Sequence, residues 1–199
     1  MFFELQNLNR QTFSRLPERC QGCGWWQGRD LGWSQAEAEE WNRVAEDKFG
    51  RWGKLAVGDG RLLGMIQFGP AAMFARNLSC GPASKSSALL ACSLVTGDGM
   101  DAVRKSLVLS MLAELREAEI EMVEAFCSQT PGDRQAGHLL EYEFLRDCGF
   151  YPVKSSGGFQ LMRLELGGTV ISRPGPRKSR RRILERIKAQ KRIPVPAAF

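Results

Sequence analysis

Ala88–Cys127, ALLACSLVTGDGMDAVRKSLVLSMLAELREAEIEMVEAFC, is the stretch whose reading decides the fold. Leu89–Val95 is a continuous apolar run, the pattern of a strand covered on both faces. The TGDG that follows puts Gly97 and Gly99 where the chain has to turn, and glycine takes positive φ there without steric cost. Asp101 is suited to cap a helix. Val103, Leu107, Met111 and Leu115 then recur every four residues, flanked by Val108 and Leu112. They make one apolar stripe on a helix of about five turns. Glu121–Cys127, with Met122, Val123, Ala125 and Phe126, reads as the next strand. A strand, crossover helix and strand of this length form a right-handed βαβ unit. The loop opening the helix is a candidate anion site, because free N–H groups and the helix dipole converge there. An ordinary βα turn with two glycines reads the same way, so the loop alone does not assign a ligand.

Upstream, Phe2–Leu8 reads as a first strand and Leu16–Gly28 as a segment rich in Cys, Gly and Trp. Ser34 and Glu37 form a capping box for a helix over Gln35–Phe49, with Trp41, Val44, Ala45 and Phe49 inward. Lys54–Val57 and Leu62–Phe68 flank GDGR, whose Asp59-Gly60 is a hairpin turn signal. Gly64 inside the second of these strands predicts a bulge or a close backbone approach. Gly69–Ser87, with two Gly-Pro pairs, is a long irregular connection. Downstream, Pro131–Gly137 is a loop and His138–Cys148 a second helix, with Leu139, Leu140, Phe144 and Leu145 inward and Gly149 as its terminating glycine. Phe150–Lys154 and Phe159–Leu166 are the last strands. The expected fold is α/β: a mixed sheet of about six to seven strands, antiparallel early and parallel across the central crossovers, with helices on both faces.

The chain has 199 residues, 43% hydrophobic, enough for one domain with a substantial core. No apolar run approaches the ~18 residues of a membrane helix. The opening MFFELQNLNR lacks the pattern of a secretory signal. Six cysteines in a chain this apolar do not read as a disulfide scaffold, so a reducing, cytoplasmic setting is expected. The net charge of +6 is unevenly placed: from Arg173 onward there are ten Lys/Arg and one Glu, against 18 basic and 21 acidic residues before it. The chain divides into a slightly acidic domain, residues 1–170, and a basic tail, residues 171–199. Ile183, Leu184 and Ile187 would share one side of a basic amphipathic helix, suited to nucleic acid or an anionic surface. A solvated tail that aids solubility reads equally well.

The order strand, helix, hairpin, strand, helix, strand, helix, strand, strand resembles the GNAT superfamily of acyl-CoA-dependent N-acetyltransferases. GKLAVGDGRLLGMIQFGP resembles the family's second and third strands, SALLACSLV its fourth and MVEAF its fifth. FLRDCGFYPV resembles its fourth helix and the turn into the sixth strand. LPERCQGCGWW resembles the N-terminal segment of one bacterial branch with a Cys-x-x-Cys. The resemblance covers roughly residues 1–167 and implies that strands four and five splay to admit acetyl-CoA. Its thioester would be attacked by an amine of a small molecule or protein. Backbone groups near Leu94 and Val95 would polarise the carbonyl, and the loop Gly97–Lys105 would meet the pyrophosphate.

Two departures from the family pattern follow. Its loop motif is Arg/Gln-x-x-Gly-x-Gly/Ala. Aligned on Leu107, Gly99 falls at the Arg/Gln position, Ala102 at the first glycine and Arg104 at the second small position. Either Arg104 or Lys105 supplies charge in place of backbone closeness, beside Val103 and Ala102, or the site no longer holds coenzyme A tightly. The tyrosine that many members use to protonate the departing thiolate is Leu145 here. Tyr142, three residues earlier, is the substitute candidate or a semi-buried surface residue. Glu124 and His138 are candidate bases by position. The alternative function is a catalytically weakened GNAT-fold binding protein whose basic tail engages nucleic acid.

Cys20-x-x-Cys23 is half a zinc site by spacing, with no second such pair and one histidine, His138. It reads as a metal half-site, a redox pair or, first among these, a structural or cleft-lining segment; no metal is assigned. Trp25, Trp26 and Trp33 suit either a core or the wall of an acceptor pocket. Cys127, ending the fifth strand, is a buried thiol by default.

Overall fold

The computed structural model describes residues 2–97, 100–128 and 138–167. Gly99, the loop 131–137 and the basic tail lie outside the described residues. Seven strands form one sheet in the order β1-β2-β3-β4-β5-β7-β6. They are β1 (Glu4–Leu8), β2 (Gly53–Gly58), β3 (Arg61–Pro70), β4 (Ala88–Val95), β5 (Met122–Ser128), β6 (Tyr151–Ser156) and β7 (Phe159–Glu165). The helices are α1 (Glu18–Gln21), α2 (Gln35–Phe49), α3 (Asp101–Glu117) and α4 (Tyr142–Asp147). Among the described residues, no helix is long and apolar enough to cross a membrane.

The helices lie on both faces, as expected. On one face the N-terminal segment and α2 cover Leu8, Leu55, Met65, Leu89 and Phe126, with Trp26 and Trp52 buried among them. On the other, α3 presents Val103, Leu107, Val108, Met111, Leu112 and Leu115 to Ile66, Leu90, Val123 and Ala125, and α4 adds Leu145. All six stripe residues of α3 are buried. The capping box of α2 is formed in both directions: Glu37 N–H donates to the Ser34 hydroxyl, and its carboxylate accepts from Ser34 N–H. Gly64 stands where a Cβ would lie 3.1 Å from the Leu94 carbonyl oxygen, so β3 and β4 approach too closely there for a side chain.

Parallel pairing is narrower than expected. It joins only β4 and β5, through Ala88↔Val123, Leu89↔Glu124 and Leu90↔Ala125. β7 pairs antiparallel with β5, and β6 lies outside β7. The cause is composition: Leu161 and Met162 of β7 are suited to a central strand, whereas YPVKSS of β6 is polar and carries Pro152, which suits an edge. Two boundaries also differ. The last helix starts at Tyr142 rather than His138, because Leu140 N–H donates to the Phe126 carbonyl and bridges Cys127 in a short parallel contact. Asp101 is the first residue of α3 instead of its cap, a position held by Met100.

β4 carries the irregularity that shapes the molecule. Gln67 pairs with Cys92 and Phe68 with Leu90, so Ala91 is an extra residue, a β-bulge. Bulges bend a strand and sharpen its twist. The ladder to β5 ends at Leu90↔Ala125, just before this bulge, and β4 continues to Val95 with β3 as its one partner strand among the described residues. β7 occupies the far edge of β5 along its length, so Leu140 takes up the edge of β5 that faces β4.

Candidate functional site

Three features converge where β4 leaves β5: the free edge of β4, the N-terminus of α3 and a cavity beneath the N-terminal segment. Thr96 fixes the end of β4 to the hairpin, its N–H donating to the Leu63 carbonyl at 2.9 Å and its hydroxyl to that of Leu62 at 2.8 Å. Gly97 follows with φ of 103°, a conformation that disfavours other residues, and a Cβ there would meet nothing nearer than 3.9 Å. α3 begins without a side-chain cap, leaving its first N–H groups to be satisfied from outside the helix. Ala102 and Lys105 are exposed on this first turn, and Val103 is buried against the sheet. Leu94 and Val95 are half-buried on the released part of β4.

Arg104 is committed elsewhere. It pairs with Asp101 at 2.8 Å and with Glu141, and its guanidinium lies 4.0 Å over the Phe144 ring. It thereby ties the start of α3 to the start of α4, and two carboxylates surround the one guanidinium. Tyr142, adjacent to Glu141, packs on the α3 side of the sheet, with Arg146 5.9 Å over its ring.

Glu124 lies below the parting of the strands and is fully buried. It accepts from Ser84 N–H at 2.5 Å, from the Ser84 and Ser87 hydroxyls at 3.0 Å each, and from Arg163 Nη2 at 2.7 Å. Burial alone would push its carboxyl up; the Ser84 backbone donor, Arg163 and the two hydroxyls outweigh that and hold it below the ordinary value. Its geometry anchors the irregular Gly69–Ser87 connection to β5 and β7.

The cavity has a volume of about 310 Å³. Trp26, Trp33, Trp52 and Phe13 form its aromatic wall, and Met65, Gln67, Cys92, Ser93 and Leu94 come from β3 and the released part of β4. Arg19, Cys20, Cys23 and Gln27 enter from the N-terminal segment, Asn42 from α2, and His138 closes one side. The N-terminal segment is compact because small residues allow it. A Cβ on Gly32 would lie 2.6 Å from the Gly22 carbonyl, and Trp33 Nε1–H donates to the Gln21 carbonyl at 2.9 Å. Trp26 stacks on Phe126 at 5.7 Å, and its Nε1–H donates to the His138 carbonyl at 3.1 Å. The His138 ring stacks on Trp25 at 4.8 Å, with Nδ1 3.8 Å from Cys23 Sγ. Burial, and then the nearby Arg76 charge, lower the His138 pKa, which keeps its imidazole neutral. Burial raises the thiols of Cys20 and Cys92, and pushes Cys127 up to about 11. A wider depression of about 460 Å³ beside Arg10, Ala36 and Arg43 is a surface groove whose arginines are already paired with Glu46 and Glu40.

Two residues lining the cavity carry a buried polar atom without a hydrogen-bond partner, Gln27 Nε2 and Asn42 Oδ1; Ser93 Oγ lacks one as well, but Ser93 pairs with Ile66 of the α3-side core, so its side chain belongs to the other face of the sheet. Each such atom costs about 1–3 kcal/mol while unsatisfied, so the two amides beside one cavity mark a place that is not built for stability alone. Sequence reading singled out Cys20, Cys23, Trp26 and Trp33 of this wall. It missed Gln27 and Asn42, since an Asn on a helix gives no signal until its face is known. Among the described residues all six cysteines are free, and no group of three or more His, Cys, Asp or Glu is arranged to hold a metal ion.

No protein-family model matches the chain, and no curated protein matches it. Solved structures do. The PaiA N-acetyltransferase of Thermoplasma acidophilum, in complex with coenzyme A, is 14% identical, with a TM-score of 0.52 over 83% of this chain and 99% of that one. The GNAT domain of S. lividans PAT is 15% identical, with a TM-score of 0.54 over 81% and 89%. The ribosomal-protein-alanine N-acetyltransferase of Brucella melitensis is 13% identical, with a TM-score of 0.54 over 81% and 99%. With its splayed β4 and β5 and seven-stranded mixed sheet, the chain has the GNAT fold of these acetyltransferases.

Proposed function

We propose that the chain is an acyl-CoA-dependent N-acyltransferase that moves an acetyl group from acetyl-CoA to a primary amine. The observation that carries this reading is the parting of β4 from β5 at the Ala91 bulge, which frees the edge of β4 beside both the α3 N-terminus and the His138 cavity. The residues present fit coenzyme A: the open Gly97 turn and uncapped α3 suit a pyrophosphate, and the released backbone at Leu94 and Val95 suits an amide-bearing arm. Ala102, Val103 and Lys105 of the first turn of α3 would complete the hold, with Arg104 tying that turn to Glu141 at the start of α4.

Bound acetyl-CoA would supply an activated acyl thioester. His138, neutral and facing the cavity, accepts the proton of the acceptor amine at a ring nitrogen as the N–C bond forms. Backbone N–H at Leu94 and Val95 stabilises negative charge on the carbonyl oxygen. Tyr142 holds a proton at its phenol oxygen for the departing sulfur. Glu124, the other candidate base, has a carboxylate already saturated with donors, so His138 carries the proton transfer in this reading.

The test is calorimetric titration of the full chain with acetyl-CoA, with dephospho-CoA for comparison, followed by turnover with a panel of primary amines. Micromolar binding is expected. His138→Gln should keep acetyl-CoA binding and lose about 10²-fold or more in turnover. Absence of binding at millimolar acetyl-CoA overturns the reading.

A further inference from the structure

The cavity itself points to the class of acceptor, an inference that rests on the acyltransferase reading for the reaction but not for the binding. Asn42 is 2% and Gln27 5% exposed; both line the cavity, and one amide atom of each has no hydrogen-bond partner. Gln27 Nε2 offers a donor and Asn42 Oδ1 an acceptor, so a ligand complementary to both presents an acceptor and an N–H. Around these groups the lining is aromatic and aliphatic, chiefly Trp26, Trp33 and Trp52, so the rest of the ligand is an apolar body. Charge completes the description. Among the described residues lining the cavity, none is Asp or Glu, and the cation is Arg19. A polyamine or another polycation finds no countercharge there, whereas a carboxylate finds one. The volume of about 310 Å³ sits at the small end of ligand pockets, which run roughly 300–1,000 Å³.

We infer that the cavity binds a hydrophobic α-amino acid, its carboxyl group met by Gln27 and Arg19 and its α-amine by Asn42 Oδ1, with the side chain against the tryptophans. The same head group occurs in a free amino acid and, as an amide, at the N-terminus of a short peptide. The experiment separates the two sources.

Full-length protein is titrated, without acetyl-CoA, with L-phenylalanine, L-leucine, L-phenylalanine amide and the dipeptide Phe-Ala; phenethylamine and spermidine are controls. Saturable binding of phenylalanine or leucine is expected, at least tenfold tighter than phenethylamine, which lacks the carboxyl group, and with none for spermidine. A preference for the amide or the dipeptide assigns the peptide source and keeps the site. Asn42→Leu and Gln27→Met replace an unpaired amide by an apolar group of similar size. Each should weaken amino-acid binding at least tenfold while leaving the melting temperature unchanged or higher, a combination that a merely structural amide would not give. Arg19→Gln, at an exposed position, should weaken binding of the amino acids but not of phenethylamine, and it keeps the test open should either buried variant fail to fold. Equal binding of phenethylamine, preferential binding of spermidine, or no saturable amino-acid binding while acetyl-CoA still binds overturns the inference. Amino-acid binding without acetyl-CoA binding would instead overturn the acyltransferase reading and leave this site standing.

Discussion

The two halves of β4 differ in burial, in pairing and in how their polar neighbours are satisfied. Ala88–Leu90 is buried, paired to β3 on one side and β5 on the other, and stands beside a carboxylate with five donor groups. Cys92–Val95 is half-buried, has one partner strand among the described residues, and lines a cavity with Gln27 and Asn42, each of which has an unpaired amide atom. One extra residue, Ala91, separates them. The lower half follows the rule that buried polar groups are satisfied, and so contributes stability. The upper half departs from it in one confined place, which is how a strand is made ready for a ligand. Stability and binding are thus divided along one strand, and each can be perturbed without the other.

The largest effect is expected in the lower half. Glu124→Ala leaves Arg163 and the donors of Ser84 and Ser87 without their acceptor, and removing one member of a buried pair costs about 3 kcal/mol. Denaturant unfolding should show that loss with acetyl-CoA affinity little changed; a loss below about 1 kcal/mol would mean that the network is no lock. Acid should separate the halves as well. Glu124 has a folded pKa below its ordinary 4.5, so its contribution is present above that pH and is lost as pH falls through the folded value. His138 has a folded pKa below its ordinary 6.5, so its contribution is complete above pH 6.5 and lost as pH falls through its folded value. Acid should therefore destabilise the protein in two stages, each with a slope of at most about 1.4 kcal/mol per pH unit. Glu124→Gln should remove the lower stage and His138→Gln the upper. One merged stage in both variants would break the comparison.

A smaller effect is expected from crowding the upper half. A methyl group at Gly64 would lie 3.1 Å from both the Leu94 carbonyl oxygen and Val95 Cγ1, and 3.4 Å from Leu107 Cδ1. Gly64→Ala should cost about 1–2 kcal/mol and push the end of β4 from its place. Acetyl-CoA binding should weaken along with stability, whereas Glu124→Ala is expected to lower stability alone. Unchanged binding would mean that the released part of β4 does not position the ligand.

Much of this division was written in local pattern. The apolar run of β4, the four-residue stripe of α3, the capping box of α2 and the crowding at Gly64 are short-range signals, and each has its expected counterpart in the structure. The non-local features were not legible. β7 beside β5 depends on a competition between two strands for a central place, decided by Leu161 and Met162 against Pro152. The bulge at Ala91 has no sequence mark, since alanine suits either register. Glu124 looked like a candidate base by its place on the fifth strand; its five donor groups come from two other segments, the connection that holds Ser84 and Ser87 and the β7 strand that holds Arg163. Arg104 looked like a free cation facing the loop, because Glu141, its partner from α4, is 37 residues away.

That pair gives the smallest and most directional effect. Arg104 stands between Asp101 and Glu141, so the start of α3 carries two carboxylates against one guanidinium, at a helix end whose dipole otherwise favours an anion. Asp101 is 81% and Glu141 66% exposed, so the solvent screens both and their effect on stability is slight. Their effect on an arriving pyrophosphate is not symmetrical. Glu141→Gln removes one negative charge and leaves Arg104 with capacity to meet another anion. Acetyl-CoA should then bind about two- to threefold more tightly, with stability changed by less than about 0.5 kcal/mol. Arg104→Ala leaves both carboxylates without countercharge and should weaken binding. Raising the salt concentration should shrink both effects, since the groups are exposed. If Glu141→Gln weakened binding instead, Glu141 would be holding the loop in its binding shape through Arg104, and the upper half of β4 would owe its readiness to α4 as well as to the bulge.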